Sequence, residues 1–202
     1  PLLDVDGVQD LVGEDPTVGA LPAAGVQAHL GGEPAHADFL TGLMHPLSGL
    51  DHLLAAFAAG LLAVRLGMPA YRSIPLVFLA MLGLGAWGGF SGIQLPVAGS
   101  VIALSVLVFG VLLASRNPIP GTAALALVAT FAVFQGNTHA LALPAEGLIA
   151  ASIAGLIAMT GMLLAIGIMT GHALQRSARP HLLRIGGSVL AASGLVFLSG
   201  FQ

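Results

Sequence analysis

The sequence predicts an all-α membrane protein: a polytopic bundle of six transmembrane helices with both termini outside. Of its 202 residues, 56% are hydrophobic and 7% charged, whereas soluble domains carry about 25% charged residues. Six apolar runs, each near the ~20 residues that a helix needs to cross a bilayer, are separated by short polar or proline-containing segments. The arginines all lie in alternate connections, as expected for a chain that crosses a membrane repeatedly.

Residues 1–38 precede the apolar runs and are acidic, rich in Gly, Pro and Ala, and without helical periodicity. They do not form a signal peptide, because they lack a basic start and an apolar run of adequate length. The chain begins with Pro1 rather than Met, which agrees with a leader that has already been removed. We therefore predict a mostly irregular extracytoplasmic arm over 1–38 and a membrane domain over 39–202.

The apolar runs are predicted to be helices, because every backbone polar group in lipid needs a partner within the protein. They cover residues 46–65, 73–90, 97–115, 120–140, 147–174 and 183–201. The fifth run is too long to cross upright, so it should tilt or project into water. Small residues recur along the runs and should allow close helix packing; these are Gly83, Gly85, Gly88, Gly89, Gly155, Gly161 and Gly167.

The charged residues predict how the chain is oriented. The first, third and fifth connections contain Arg65, Arg72, Arg116, Arg176, Arg179 and Arg184. The second connection is uncharged, and the fourth carries only Glu146. Because arginine excess marks the cytoplasmic side, the arm, Glu146 and both termini are predicted to lie outside. The sequence has no basic patch of the kind that binds nucleic acid.

The first run opens with HPLSGLDHLL, residues 45–54, which places ionisable side chains at the entrance of an apolar helix. Pro46 is favoured at the first helical position, so we expect His45 at the cap and His52 two turns deeper, roughly 10 Å along the axis. Asp51 should point about 100° away from His52, either to contact another helix or to orient a histidine. Ionisable groups inside membranes usually mark an ion pathway; hydrogen bonding between helices is the simpler alternative.

A second polar segment ends the fourth run, FQGNTHALALP, residues 134–144. Alternate crossings should bring it to the same membrane face as His45 and His52. With no cysteine in the chain, any metal site must use nitrogen and oxygen ligands, a set that suits nickel, cobalt or zinc. The predicted metal ligands are His45, Asp51, His52, His139, His36, Gln135 and Asn137.

Three other histidines have ordinary explanations. His29 lies in the arm, where a solvated histidine is the common case. His172 and His181 should lie at the cytoplasmic face, where His172 is either an interfacial residue or an exit ligand. We do not include them in the predicted site.

These residues resemble the HupE/UreJ family of nickel/cobalt permeases. The first-helix motif of that family, His-Pro-x-x-Gly-x-Asp-His-x-Leu, is matched by His45, Pro46, Gly49, Asp51, His52 and Leu54. The likeness covers roughly 28–202, and residues 1–27 look like an extension. The resemblance implies a permease, not an enzyme, that moves nickel or cobalt, with zinc as an alternative, across a bacterial cytoplasmic membrane and holds no permanent cofactor.

The fourth-helix motif departs from the family, where it commonly reads Phe-His-Gly-x-Ala-His-Gly-x-Glu. Here Gln135 replaces the first histidine and Ala142 the acid, while His139 is kept. Leu156 stands near the place of a fifth-helix histidine. The resemblance therefore implies a set of metal ligands with fewer histidines and carboxylates and a larger share of amides. A different ion, weaker binding and lost transport stay open as alternatives.

Two hypotheses from other function classes stay open. The first is an intramembrane hydrolase, either with a zinc-activated water near His52 and Ser48 or with Ser91 of Gly-Phe-Ser-Gly as nucleophile. The second is an accessory subunit that packs in a larger membrane complex or a homo-oligomer. The chain lacks a Gly-x-x-x-x-Gly-Lys-Ser/Thr motif, so transport would depend on the ion gradient, the membrane potential or a partner.

Overall fold

The computed structural model describes residues 37–117, 119–177 and 180–200. Over these ranges the chain is helical and contains no strand, only an isolated bridge between Ala37 and Gly147. The helices are α1 (Phe39–Met44), α2 (Leu50–Leu66), α3 (Ala70–Phe90), α4 (Ala98–Ala114), α5 (Gly121–Ala142), α6 (Ile149–Arg176) and α7 (Pro180–Leu198), with a 3-10 turn at His45–Leu47. The all-α prediction is confirmed. Residues 1–36 of the predicted arm lie outside the described residues, and the division after residue 38 stays a prediction.

Each of the six predicted runs forms one long helix, with ends within four residues of those predicted. Four helices, α3, α5, α6 and α7, are long and apolar enough to cross a membrane. The segment Phe39–Leu47 and α2 pass the same test as one bent pair, which raises the number to five. Helix α4 is apolar but has only 17 residues. These helices make the chain a multi-pass membrane protein with four or five candidate spans.

The start of the first run differs from the prediction. The long helix begins at Leu50 rather than Pro46, and His45 opens a 3-10 turn that continues from α1. The two helical segments meet at 86°, so His45 does not cap α2 and does not share a helix with His52. The break falls at Ser48 and Gly49, and glycine disfavours a helix interior. Gly49 also makes room for the site, since a methyl group there would lie 2.7 Å from His52 Nδ1.

Glycine contacts bring the helices together in pairs. The most extensive contacts join α3 to α5, α4 to α7 and α2 to α6. A methyl group at Gly85 would collide with the carbonyl of Val133 on α5, and one at Gly167 with that of Phe57 on α2. The predicted role of glycine is thus confirmed at Gly85, Gly89, Gly155 and Gly167, which all meet a neighbouring backbone. At Gly83, Gly88 and Gly161 a methyl group would meet only side-chain atoms, at 3.3 Å or more.

Helices α2 and α6 run in the same direction, because Gly60 packs against Leu164 while Val64 packs against Gly171 further along both helices. Helices α3 and α5 are also parallel, since Gly85 meets Val133 and Gly89 meets Asn137. The start of α2 lies at the same end of the bundle as the close of α5, because the ring centroids of His52 and His139 are 4.4 Å apart. This arrangement places the two polar segments together.

The opposite end of the bundle is basic. Arg65 on α2 donates to the carbonyls of Leu112, Leu113 and Ser115 at the end of α4. Arg184 on α7 donates to the neighbouring carbonyl of Ala114 at 3.2 Å. The last carbonyls of a helix have no partner within it, so the two arginines satisfy the end of α4. We call this the arginine end of the bundle.

Candidate metal-binding site

The site lies where the first turn of α2 meets the last turns of α5. Asp51 and His52 come from α2, and His45 comes from the 3-10 turn before it. Gln135 and His139 are four residues apart on α5, a spacing that puts both on one face of a helix. The side chains of Gln135 and His139 are almost fully buried, each residue being 2% exposed.

Asp51 holds the ring of His52. Its Oδ1 accepts the backbone N–H of His52 at 2.9 Å and lies 2.7 Å from Nδ1 of the same residue. Of the two roles predicted for Asp51, the structure supports the orienting one. A carboxylate beside Nδ1 favours the tautomer in which this nitrogen carries the proton. The Nε2 lone pair is then free to bind a metal ion, as in the carboxylate–histidine pairs of metalloproteins.

Two imidazoles, those of His45 and His52, lie against the ring of His139. Its ring centroid lies 4.4 Å from that of His52 and 5.0 Å from that of His45. The Nε2 atoms of His52 and His139 are both buried and have no hydrogen-bond partner among the described residues. Leaving a buried polar atom unpaired costs about 1–3 kcal/mol, so two such atoms on neighbouring rings indicate a functional demand rather than packing alone. The predicted meeting of the two polar segments is confirmed.

The two predicted amide ligands have different surroundings. Gln135 Nε2 donates to the backbone carbonyl of His52 at 3.1 Å, so this side chain ties α5 to α2 beside the imidazoles. Asn137 instead donates to the carbonyl of Ile93 at 2.8 Å and accepts from Leu95 N–H at 3.1 Å. Its amide holds the connection between α3 and α4, and the structure does not place it among the histidines.

The described residues do not provide a complete coordination shell. No group of three or more His, Cys, Asp or Glu side chains in this part of the chain is arranged to hold a metal ion. His36, which was predicted to add a ligand, lies outside the described residues, as does His29. The arrangement therefore offers two unpaired imidazole nitrogens with a carboxylate behind one of them.

The side chains of the remaining candidate residues make no hydrogen bond to these imidazoles within the described part of the chain. His172 packs against Tyr71, with ring centroids 5.4 Å apart, towards the arginine end. Ser48 Oγ donates to the carbonyl of His45 at 2.7 Å, and Ser91 Oγ to that of Trp87 at 2.8 Å. Neither hydroxyl is bonded to the ring of a described histidine, which is the contact that activates a serine nucleophile.

Sequence reasoning missed the close fit around Gly49. A methyl group at this position would lie 2.7 Å from His52 Nδ1 and 3.0 Å from Asp51 Oδ1. The sequence signal that could have indicated this fit is the position of Gly49, two residues before the Asp51-His52 pair. Any larger residue would push against the two side chains whose contact orients the ring.

Comparisons with known proteins cover most of the chain. The family model described as HupE / UreJ protein matches residues 18–197. Protein HupE of Rhizobium leguminosarum bv. viciae is 36% identical over 182 residues, which is 90% of this chain and 93% of that protein. No solved structure matches. The family match begins at residue 18, so the prediction that all of residues 1–27 form an extension was wrong for 18–27.

Proposed function

The chain belongs to the HupE/UreJ family, whose members are related to nickel and cobalt transport, and on this basis we propose that it is a secondary permease for a divalent transition-metal ion. Nickel or cobalt is the proposed cargo. The ion would cross the cytoplasmic membrane by way of the site formed by His45, Asp51, His52 and His139, beside Gln135. His36 of the arm would add a ligand on the outer side.

One observation carries this proposal: the Nε2 atoms of His52 and His139 are unpaired and buried on adjacent rings. Neutral imidazole binds borderline ions such as nickel and cobalt well. Two imidazoles leave most of the coordination shell to water, so binding would be weak and readily reversed. Weak binding suits permeation, because an ion that enters must also leave.

The proposed topology has six crossings, with the histidines at the periplasmic end and the arginines at the cytoplasmic end. Helix α4 would be a short crossing, since its 17 residues span about 26 Å and a hydrocarbon core is about 30 Å thick. A short span is accommodated by local thinning of the bilayer at a modest cost. Both termini would then lie in the periplasm, where the acidic arm would raise the local concentration of cations.

Two competing functions differ from this one in what they require. A hydrolase needs an activated nucleophile, and the hydroxyls of Ser48 and Ser91 bond to backbone carbonyls. An accessory subunit would co-purify with partners and would not respond to metal. A zinc hydrolase would use the same unpaired imidazoles, but it needs a tightly held ion with three protein ligands, and no group of three or more such ligands is found among the described residues. Transport needs only weak, reversible binding by these imidazoles.

The direct test is uptake of radioactive nickel and cobalt by cells that lack other importers and express the full chain. The wild type should show saturable uptake. His52→Ala should abolish it at unchanged protein level in the membrane, whereas His181→Ala, a histidine exposed at the start of α7, should transport normally. Full uptake by the His52→Ala variant would overturn the proposal.

A further inference from the structure

A cleft at the arginine end has no part in the proposed transport site. It encloses about 500 Å³ between the end of α2, the first turns of α3 and the start of α5. Its lining includes two arginines, Arg65 and Arg116, together with the polar residues Ser73 and Thr122. The rest of the lining is apolar, with side chains such as Met68 and Leu125. The cleft is therefore amphipathic.

The positive charge around this cleft is not balanced within the described part of the chain. A neighbouring hollow of about 310 Å³ shares Arg65 and Arg116 and adds Arg184. None of these arginines pairs with a carboxylate among the described residues, where the one ion pair joins Asp51 to His52. The described acids are Asp38, Asp51 and Glu146, and they belong to the opposite end of the bundle. Three arginines thus surround adjoining hollows without a counter-anion from the described chain.

The arginines differ in how firmly they are held. Arg65 is fixed by three carbonyls at the end of α4, and Arg184 by a fourth. Arg116 is exposed and makes no hydrogen bond within the described residues. A fixed guanidinium beside a free one can hold an anion at low entropic cost, because only one side chain has to become ordered.

We propose that this cleft binds the phosphate headgroup of an anionic phospholipid from the membrane leaflet at the arginine end. A planar guanidinium matches the oxygens of a phosphate in a bidentate arrangement. The apolar lining suits the first methylene groups of the lipid's acyl chains, which a soluble phosphate compound lacks. Basic pockets between transmembrane helices commonly hold such headgroups. The proposal rests on the membrane placement of the chain and is independent of metal transport.

The test uses the purified full chain in detergent and measures lipid retention by native mass spectrometry. Phosphatidylglycerol should be retained, and phosphatidylcholine at the same concentration should not. Arg116→Gln should weaken phosphatidylglycerol binding about fivefold. The matched control is Arg72→Gln, which removes the same charge from an exposed arginine on α3 that lines neither hollow; it should bind like the wild type.

Any of the following results would overturn the proposal. Equal weakening by both substitutions would mean that only general surface charge matters. Equal retention of the two lipids would remove the role of the anionic headgroup. Displacement of the lipid by millimolar glycerol phosphate would assign the cleft to a soluble phosphate compound. As a measurement that needs no variant, phosphatidylglycerol should raise the unfolding temperature of the wild type above that in phosphatidylcholine, and identical temperatures would also contradict lipid binding.

Discussion

Oδ1 of Asp51 accepts the backbone N–H of His52 and also lies 2.7 Å from Nδ1 of its ring. A single carboxylate oxygen therefore positions both the backbone and the side chain of the next residue. The contact determines which ring nitrogen carries a proton and which can bind a cation. The first prediction tests this relationship.

Asp51→Asn should weaken metal binding about 10- to 100-fold, the usual cost of removing a carboxylate behind a metal-binding histidine. The amide keeps the shape but loses the charge that favours the Nδ1–H tautomer. The measurement is the Kd for cobalt of purified protein by titration calorimetry. Glu146→Gln is the control, because it removes an exposed carboxylate at the same end of the bundle and should leave the Kd unchanged. Unaltered binding by Asp51→Asn would show that its contact with His52 is only structural.

His52 and His139 should behave as one unit. If their Nε2 atoms bind the same ion, His52→Ala and His139→Ala should each reduce affinity, and the double variant should be no weaker than the worse single variant. Residues that share a partner show such non-additivity in double-mutant cycles. The four Kd values for nickel form the cycle. Losses that add in free energy would mean that the two histidines bind separately or not at all.

Asn137 should prove structural. Asn137→Ala leaves the carbonyl of Ile93 and the N–H of Leu95 without their side-chain partner, at about 1–3 kcal/mol for each group that stays unsatisfied. The free energy of unfolding in mixed micelles should fall accordingly, while the metal Kd of the folded protein stays the same. Thr138→Ala is the control: within the described part of the chain its hydroxyl bonds only to Phe134 O on its own helix, so the change should stay within about 0.5 kcal/mol. If the Asn137→Ala variant also bound metal more weakly, with a higher Kd for the folded protein, Asn137 would again be a candidate ligand.

Close contact between α2 and α6 should make Gly167 sensitive to a single methyl group. Gly167→Ala places that group against the carbonyl of Phe57, and overpacking of this kind costs about 1–3 kcal/mol. Gly186→Ala on α7 adds the same group where nothing lies within 4 Å; it should stabilise the helix by up to about 1 kcal/mol. Unfolding in mixed micelles measures both. Equal stability of the two variants would rule out tight backbone packing at Gly167.

Cysteine labelling can establish whether α4 crosses the membrane, because the chain has no cysteine of its own. Gln94 and Asn117 are exposed residues on either side of α4. In spheroplasts, an impermeant maleimide should label Gln94→Cys but not Asn117→Cys, and both should react after permeabilisation. Labelling of both positions in intact spheroplasts would refute the crossing, and the reverse pattern would invert the proposed orientation.

Hydropathy was sufficient to predict the helices, because a run of apolar residues in lipid must satisfy its own backbone. It did not predict the break at Gly49, since Pro46 favours a helix start and glycine is tolerated within membrane helices. The expectation that His139 and His52 lie at the same end of the bundle, which followed from counting alternate crossings, was correct. Asn137 could have been separated from Gln135 and His139 by helical spacing alone, because residues two apart on a helix do not face each other. The sequence pattern leaves the backbone turn before Asp51 undetermined. It therefore could not predict whether Asp51 would contact another helix or orient His52.

The break before α2 also has an electrostatic consequence. Because the helix starts at Leu50, its amino end brings a partial charge of about +0.5 to the imidazoles. Helix α5 ends three residues after His139, and its carboxyl end brings about −0.5. The positive partial charge of one helix end and the negative partial charge of the other largely cancel where a cation would bind. The full charge of Asp51 therefore decides whether that place attracts the cation.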